Sequence, residues 1–256
     1  MFEDIFSCKG KVALVTGGCG LIGRELVRGL ADFGALVCVA DTDEAGAIKY
    51  FDNPAIIFSR MDITSQDSVK ACITKVKGDH GRIDILVNTA FPRTNDWSFK
   101  VESVAFESWK RNVNDHLGGY FICCQAVADE MKKQESGSII NFASTYGVVA
   151  PDFSIYEDTP MTSAVAYSAI KGGLITFTKY LASYYAKYKI RANSVSPGGV
   201  FDNQHPKFVE KYSKRTPLGR MARPQEMVGA VVFLASDASS YVTGHNLIVD
   251  GGWTAW

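Results

Sequence analysis

No uninterrupted apolar stretch in this sequence approaches the length of a membrane span. Charge of one sign is not in surplus either: 27 Lys and Arg face 27 Asp and Glu. Without a positive excess, the electrostatic attraction that holds nucleic acid or an anionic membrane surface is missing, so neither is expected as a partner. Repeats, low-complexity segments and linkers are absent, which points to one domain over 1–256. The six cysteines lack metal-ligand spacing, and Cys123 and Cys124 are adjacent. No metal is expected, and buried, reduced thiols in the cytoplasm are. The opening Met1-Phe-Glu-Asp-Ile-Phe6 is acidic and short, unlike a signal peptide. What is present is an ordinary apolar content, 46% of 256 residues, enough for one large α/β domain with a substantial core.

Strand-like and helix-like segments alternate to about Ser196, the pattern of a doubly wound, Rossmann-type parallel sheet with helices on both faces. The patterning predicts about seven strands, near 11–16, 35–40, 55–60, 83–88, 137–143, 189–196 and 246–249. Helices are predicted near 21–33, 65–77, 102–133, 164–187 and 224–236.

The first strand runs directly into Gly17-Gly18-Cys19-Gly20-Leu21-Ile22-Gly23, and Leu21, Ile22, Leu26, Val27 and Leu30 then recur at helical spacing. Gly18-x-Gly20-x-x-Gly23 at a strand-to-helix turn is the dinucleotide fingerprint in its proper context. Glycine lets backbone approach a pyrophosphate, and the helix opening there points free N–H groups at its charge. The second strand ends at Asp41, eighteen residues beyond Gly23. An acid there accepts ribose hydroxyls and repels a 2′-phosphate, so NAD is expected over NADP.

Tyr167 and Lys171 stand four residues apart, on one face of a predicted helix. Using a phenol as a base near neutrality needs its pKa of ~10 lowered by about three units, roughly 4 kcal/mol. One ammonium about 4 Å away supplies roughly 4 kcal/mol at an effective dielectric near ~20. The pair is therefore a candidate proton-transfer device.

Together these residues resemble the short-chain dehydrogenase/reductase family, in its compact branch, along nearly the whole chain. Asp62 and Ile63 follow the third strand, where that resemblance implies contact with adenine. Asn88-Thr89-Ala90 stands where the family carries Asn-Asn-Ala-Gly. Ile139-Ile-Asn-Phe-Ala-Ser144 resembles the strand delivering the catalytic serine, Pro197-Gly198-Gly199-Val200 the loop over nicotinamide, and Val249-Asp-Gly-Gly252 the C-terminal signature. The resemblance implies reversible hydride transfer between a secondary alcohol and a ketone. Tyr167 would be acid and base, Lys171 would lower its pKa and bind the nicotinamide ribose, and Ser144 would donate to the substrate oxygen. It also implies a dimer or tetramer formed through the apolar excess of segments 102–133 and 164–187.

The chain departs from the family pattern in informative places. His116 stands where an asparagine anchors the water of the proton relay; it either does the same work or simply bonds a helix carbonyl. Leu21 replaces a glycine of the turn, and Asp202 a threonine that meets the carboxamide. Ser144 and Tyr167 lie twenty-three positions apart, more than the family spacing, so an insertion at about 147–163 is expected beside the pocket mouth. Its Asp152, Tyr156, Glu157 and Asp158 suit a polyol or amino sugar. The substrate loop at about 200–217, with Lys207, Lys211, Lys214 and Arg215, and Arg93 besides, suits a phosphate. A carbohydrate substrate is the expectation, and the insertion loosely resembles dehydrogenases of bacterial flagellin-glycan and nonulosonate synthesis. A 3-oxoacyl thioester reductase, or an NAD-binding sensor or scaffold without turnover, are the alternatives. The terminal Trp253-Thr-Ala-Trp256 is expected against a neighbouring subunit.

Overall fold

Apolar runs such as Val12-Ala-Leu-Val-Thr16 and Ile85-Leu-Val-Asn88 carry no polar alternation, as strands covered on both faces require. The computed structural model describes residues 4–256; Met1-Phe2-Glu3 of the acidic opening lies outside the described residues. Seven strands, β1 (Val12–Thr16), β2 (Leu36–Asp41), β3 (Ile56–Arg60), β4 (Ile85–Asn88), β5 (Gly137–Phe142), β6 (Ile190–Pro197) and β7 (Asn246–Val249), form one sheet. All neighbours are parallel, in the order β3-β2-β1-β4-β5-β6-β7. The chain is thus a single-domain Rossmann-type α/β protein. Strand order reverses between β1 and β4, and at such a switch point the carboxyl ends of the strands open a crevice.

One face is covered by α1 (Gly23–Asp32), α2 (Glu44–Tyr50) and α8 (Val228–Ala235), whose Leu26, Val27, Leu30, Ala47, Val231 and Leu234 pack on Val15, Val39 and Val87. The other is covered by α3 (Gln66–His80), α5 (Gly119–Gln134) and α6 (Val165–Tyr185). Ser65 caps α3 by accepting from the Ser68 N–H, and Gly81, at φ 75°, ends it. Among the described residues no helix is long and apolar enough to cross a membrane.

Three departures from the expected elements matter. The helix predicted over 102–133 is α4 (Phe106–Val113), a π turn at Asn114–Gly118, and α5. Helix α2 was not expected. The substrate loop is mostly helix, α7 (Pro206–Arg215), its first turn opened by a proline that needs no N–H there.

A buried polar chain ties the crevice together. Thr16 Oγ1 donates to Asn88 Oδ1, Asn88 Nδ2 to Asn141 Oδ1, and Asn141 Nδ2 to Thr178 Oγ1. It couples the ends of β1, β4 and β5 to the helix that carries Tyr167 and Lys171.

Candidate active site

The crevice is one continuous cavity of about 890 Å³. Gly17, Cys19, Gly20, Leu21, Ile22, Gly23, Asp41, Asp62, Ile63, Thr89 and Ala90 line one part of it. Ser144, Tyr167, Lys171, Pro197, Gly198 and Val200 line another. Gly18, Asn88 and His116 do not. Gly18 faces the side chains of Val27 and Val39, letting helix and strand approach, and Asn88 is spent in the polar chain. Neither lines the cavity, and both hold the site's shape from behind.

The glycine turn is built for close approach. Gly17 has φ 67°, and a Cβ on Gly23 would lie 2.1 Å from Gly17 O. Helix α1 starts with no side-chain cap; Arg24 and Glu25 N–H turn back onto Gly20 O and Ile22 O, and Leu21, Ile22 and Gly23 of this positive helix end line the cavity, where an anion is favoured. Asp41 fixes the turn: its Oδ2 accepts from Cys19 N–H at 2.9 Å and its Oδ1 from Asp43 N–H at 3.1 Å. Asp41, Asp43 and Asp62 are the charged side chains lining this end, whereas the lysine and arginine of the lining, Lys171 and Arg93, lie at the other. Burial and the two nearby carboxylates push the Cys19 thiol up to about 12, so it stays protonated. These residues fit a dinucleotide cofactor.

Ser144 follows β5 by two residues in extended backbone, its Oγ accepting from Tyr146 N–H at 3.1 Å. The turn after it presses on α6 at Gly147, where a Cβ would meet the Lys171 carbonyl carbon at 2.6 Å. This contact sets Ser144 against Tyr167. Tyr167 is half-buried in the first turn of α6, with Phe91 and Trp97 edge-on at 5.9 and 6.1 Å between ring centroids. Burial pushes its phenol up, with the Ser144 hydroxyl acting in the opposite sense.

Lys171 is buried, and its Nζ donates to Phe142 O at 2.8 Å and stands 5.6 Å from the Tyr167 ring centroid. Burial lowers its pKa to about 7. The expected lowering of the phenol by a full ammonium is therefore not what this pocket produces. Desolvation, left out of the spacing argument, dominates both groups and leaves the phenol protonated at neutral pH.

His116 sits in the π turn, fully buried, with Nε2 3.4 Å from Lys171 Nζ and Nδ1 without a partner among the described residues. It makes no bond to a helix carbonyl. Burial, then the neighbouring lysine, hold its pKa well below the usual imidazole value. Asn112, four residues before His116 in α4, binds the segment after β4 instead: its Oδ1 accepts from Thr94 N–H at 3.1 Å.

The segment 147–163 contributes Tyr156, Met161 and Thr162 to the cavity wall, but not the charges expected of it. Asp152 pairs with Arg215 at 3.0 Å, and Lys211 donates to the carbonyls of Ser154 and Glu157. Acidic insertion and basic helix thus neutralise each other, and Asp152, Glu157, Asp158, Lys207, Lys211, Lys214 and Arg215 do not line the cavity. Tyr156 does, with residues that sequence reasoning passed over: Phe91, Tyr146, Met161, Gln204, Phe208, Tyr212 and Met221. The Ser144-x-Tyr146 spacing was the one available signal for them. Asp202 also lines it. Trp253, expected against a neighbouring subunit, is buried within its own chain, stacked on Tyr212 at 4.2 Å.

Residues 20–254 match a family model described as enoyl-(acyl carrier protein) reductase. The chain is 34% identical to a post-translational flagellin modification protein A of Campylobacter coli, covering 96% of this chain and 98% of that protein. It superposes on a short-chain dehydrogenase from Leptospira borgpetersenii with bound NAD+ at a TM-score of 0.89 and 36% identity, covering 99% and 96% of the two chains. A gluconate 5-dehydrogenase from Burkholderia cenocepacia, in complex with NADP and tartrate, gives 0.88 and 32%, covering 99% and 98%.

Proposed function

As the chain belongs to the short-chain dehydrogenase/reductase family and is an oxidoreductase of alcohols and ketones, we propose that it moves hydride between NAD and the secondary alcohol of a small, carbohydrate-like substrate. One observation carries this reading. A single cavity joins the uncapped α1 terminus and its three carboxylates to Ser144, Tyr167 and Lys171.

A bound nicotinamide supplies the hydride in reduction and takes it up in oxidation. The protein supplies position and protons. The glycine turn Gly17–Gly23 holds the pyrophosphate, Asp41 the adenosine ribose, Asp62 and Ile63 the adenine. Thr89, Ala90, Pro197, Gly198 and Val200 wall the nicotinamide end, and Lys171 faces its ribose. Ser144 donates to the substrate oxygen. Tyr167, protonated at rest, gives its proton to a carbonyl oxygen in reduction and recovers one in oxidation. His116 positions Lys171. The carboxylates at the adenosine end, with no cation among the lining residues there, favour NAD over its phosphorylated form.

Hydroxyls of Ser144, Tyr146, Tyr156 and Thr162 on walls of Phe91, Met161, Phe208 and Met221 suit a polyhydroxylated carbon chain better than an acyl thioester. The free, buried cysteines fit a reducing cytoplasm. The exposed apolar groove of Val113, Leu117, Phe121 and Phe177 suits a second copy of the chain, giving a dimer or tetramer.

The test is Tyr167→Phe. The variant should lose at least about 10²–10⁴-fold in kcat while binding NADH nearly as the parent does, read by fluorescence titration. Full activity would remove Tyr167 from the chemistry. Cofactor binding without turnover of any alcohol by the parent chain would favour a sensor.

A further inference from the structure

We propose that Arg93 is the anion-binding residue of the substrate pocket, and that the substrate is a hydroxy acid whose carboxylate it grips. The inference rests on the hydride-transfer reading and names its substrate class.

The cations around the mouth, apart from Lys207, which does not line the cavity, are committed to other partners. Arg215 pairs with Asp152, Lys211 holds the carbonyls of Ser154 and Glu157, and Arg220 pairs with Glu226. Lys171 is turned inward to Phe142 O. Arg93 differs: it lines the cavity and makes no ion pair among the described residues. Its guanidinium lies 5.4 Å from the centroid of the Phe91 ring.

That perch is supported from below. The next residue, Thr94, is pinned to α4, its N–H donating to Asn112 Oδ1 and its Oγ1 accepting from Asn112 Nδ2 at 2.7 Å. Asn112 is itself buried, so the segment is anchored although the Arg93 side chain is exposed. A charge held this way loses less freedom on meeting an anion than a free surface arginine does.

Its position narrows the substrate. The guanidinium and the Tyr167 ring both lie against one aromatic ring, Phe91, at 5.4 and 5.9 Å from its centroid. A short hydroxylated chain can therefore set its anion at Arg93 and its reacting carbon at Tyr167, as a sugar acid would. The planar fork of one guanidinium matches a carboxylate bidentately. A phosphate ester would bring a second negative charge with no second free cation among the lining residues, and Asp202 lines the same cavity. The carboxylate stays outside the redox balance, which is the two-electron exchange already described.

The experiment measures binding apart from turnover. The Tyr167→Phe chain, saturated with NADH, is titrated calorimetrically with gluconate, with glucitol and with the phosphate monoester of glucitol. Gluconate should bind at least about tenfold tighter than glucitol. Adding Arg93→Ala should weaken gluconate by about 10–100-fold and leave glucitol within about twofold; Arg93→Lys should recover part of the loss. Equal affinity for gluconate and glucitol, tighter binding of the phosphate, or equal weakening of all three by Arg93→Ala would each overturn the proposal. The same ligands are offered to the parent chain with NAD. Arg93-dependent binding with no oxidation of any hydroxy acid would keep the anion site and sink the hydride-transfer reading instead.

Discussion

Lys171 Nζ stands 3.4 Å from His116 Nε2, and the far nitrogen of that imidazole, Nδ1, is buried with no partner among the described residues. A charged lysine makes a proton on the imidazole costlier, whereas the neutral imidazole supports the lysine's charge as an acceptor. Burial lowers both pKa values, and the lysine lowers that of the histidine further. The pair therefore holds at most one proton near neutrality, and neutral imidazole accepts from the ammonium.

Replacing His116 tests that relationship. His116→Leu removes an acceptor for the ammonium, worth about 1.5 kcal/mol or more, so kcat should fall about tenfold or further. With the lysine harder to charge, the rising limb of the pH profile for alcohol oxidation should move to higher pH. His116→Asn, which keeps an acceptor, should recover most of both effects. An unchanged pH profile in the leucine variant would make His116 a packing residue.

Lys171 carries a stability signature of defined sign. Its folded pKa of about 7 lies below the unfolded value near ~10.4, so between these limits the unfolded chain binds the extra proton. This group's contribution to stability therefore rises with pH through that window. Below pH ~7 the full penalty applies, about 4 kcal/mol. Lys171→Met removes it while leaving Phe142 O short of a donor, a loss of about 1–3 kcal/mol. The inactive variant should be more stable than the parent at pH ~6, with the gap closing as pH approaches ~10. Denaturant melts across that range check it.

Asp41 should set cofactor preference. Replacing it with serine removes a like charge from the site of a 2′-phosphate, which at about 5 Å and an effective dielectric of 20–40 amounts to roughly 2–3 kcal/mol. The ratio of kcat/KM for NADP over NAD should rise by about 10–100-fold. Steady-state kinetics with both cofactors decides it, and an unchanged ratio would assign the preference elsewhere.

The groove between α4–α5 and α6 leads to a prediction about assembly. Phe121, nearly half exposed, lies 6.1 Å from Phe177 between ring centroids. Phe121→Glu places a charge where a second copy would bury it, and light scattering should show the variant as monomer under conditions where the parent is larger. A monomeric parent would remove the premise.

The strands were legible because burial on both faces leaves unbroken apolar runs, and each observed strand falls within a residue or two of its expected place. That the glycine turn, Asp41, Ser144, Tyr167 and Lys171 meet in one cavity was legible because each lies at or near the carboxyl end of its strand or on the helix facing it. Helix α7 was not: Phe208, Val209 and Tyr212 are spread among lysines, and their burial depends on Trp253 and Ile155 from distant segments. The mutual neutralisation of Asp152 and Arg215 was hidden for the same reason. Spacing put Lys171 beside Tyr167 without giving the depth of either, and depth decided their pKa values.

The clasp between insertion and α7 bears on how molecules pass in and out. Phe153–Tyr156 and Pro206–Arg215 are bolted together by Asp152–Arg215, by Lys211, and by Ile155, Phe208 and Tyr212 sharing a core with Trp253. Sharing these contacts, the two halves should move as one leaf in any opening of the pocket. Admission and departure are then a single gating event whose pace depends on the ionic bolts, and raising the salt concentration should loosen the hinge before it touches the chemistry beneath.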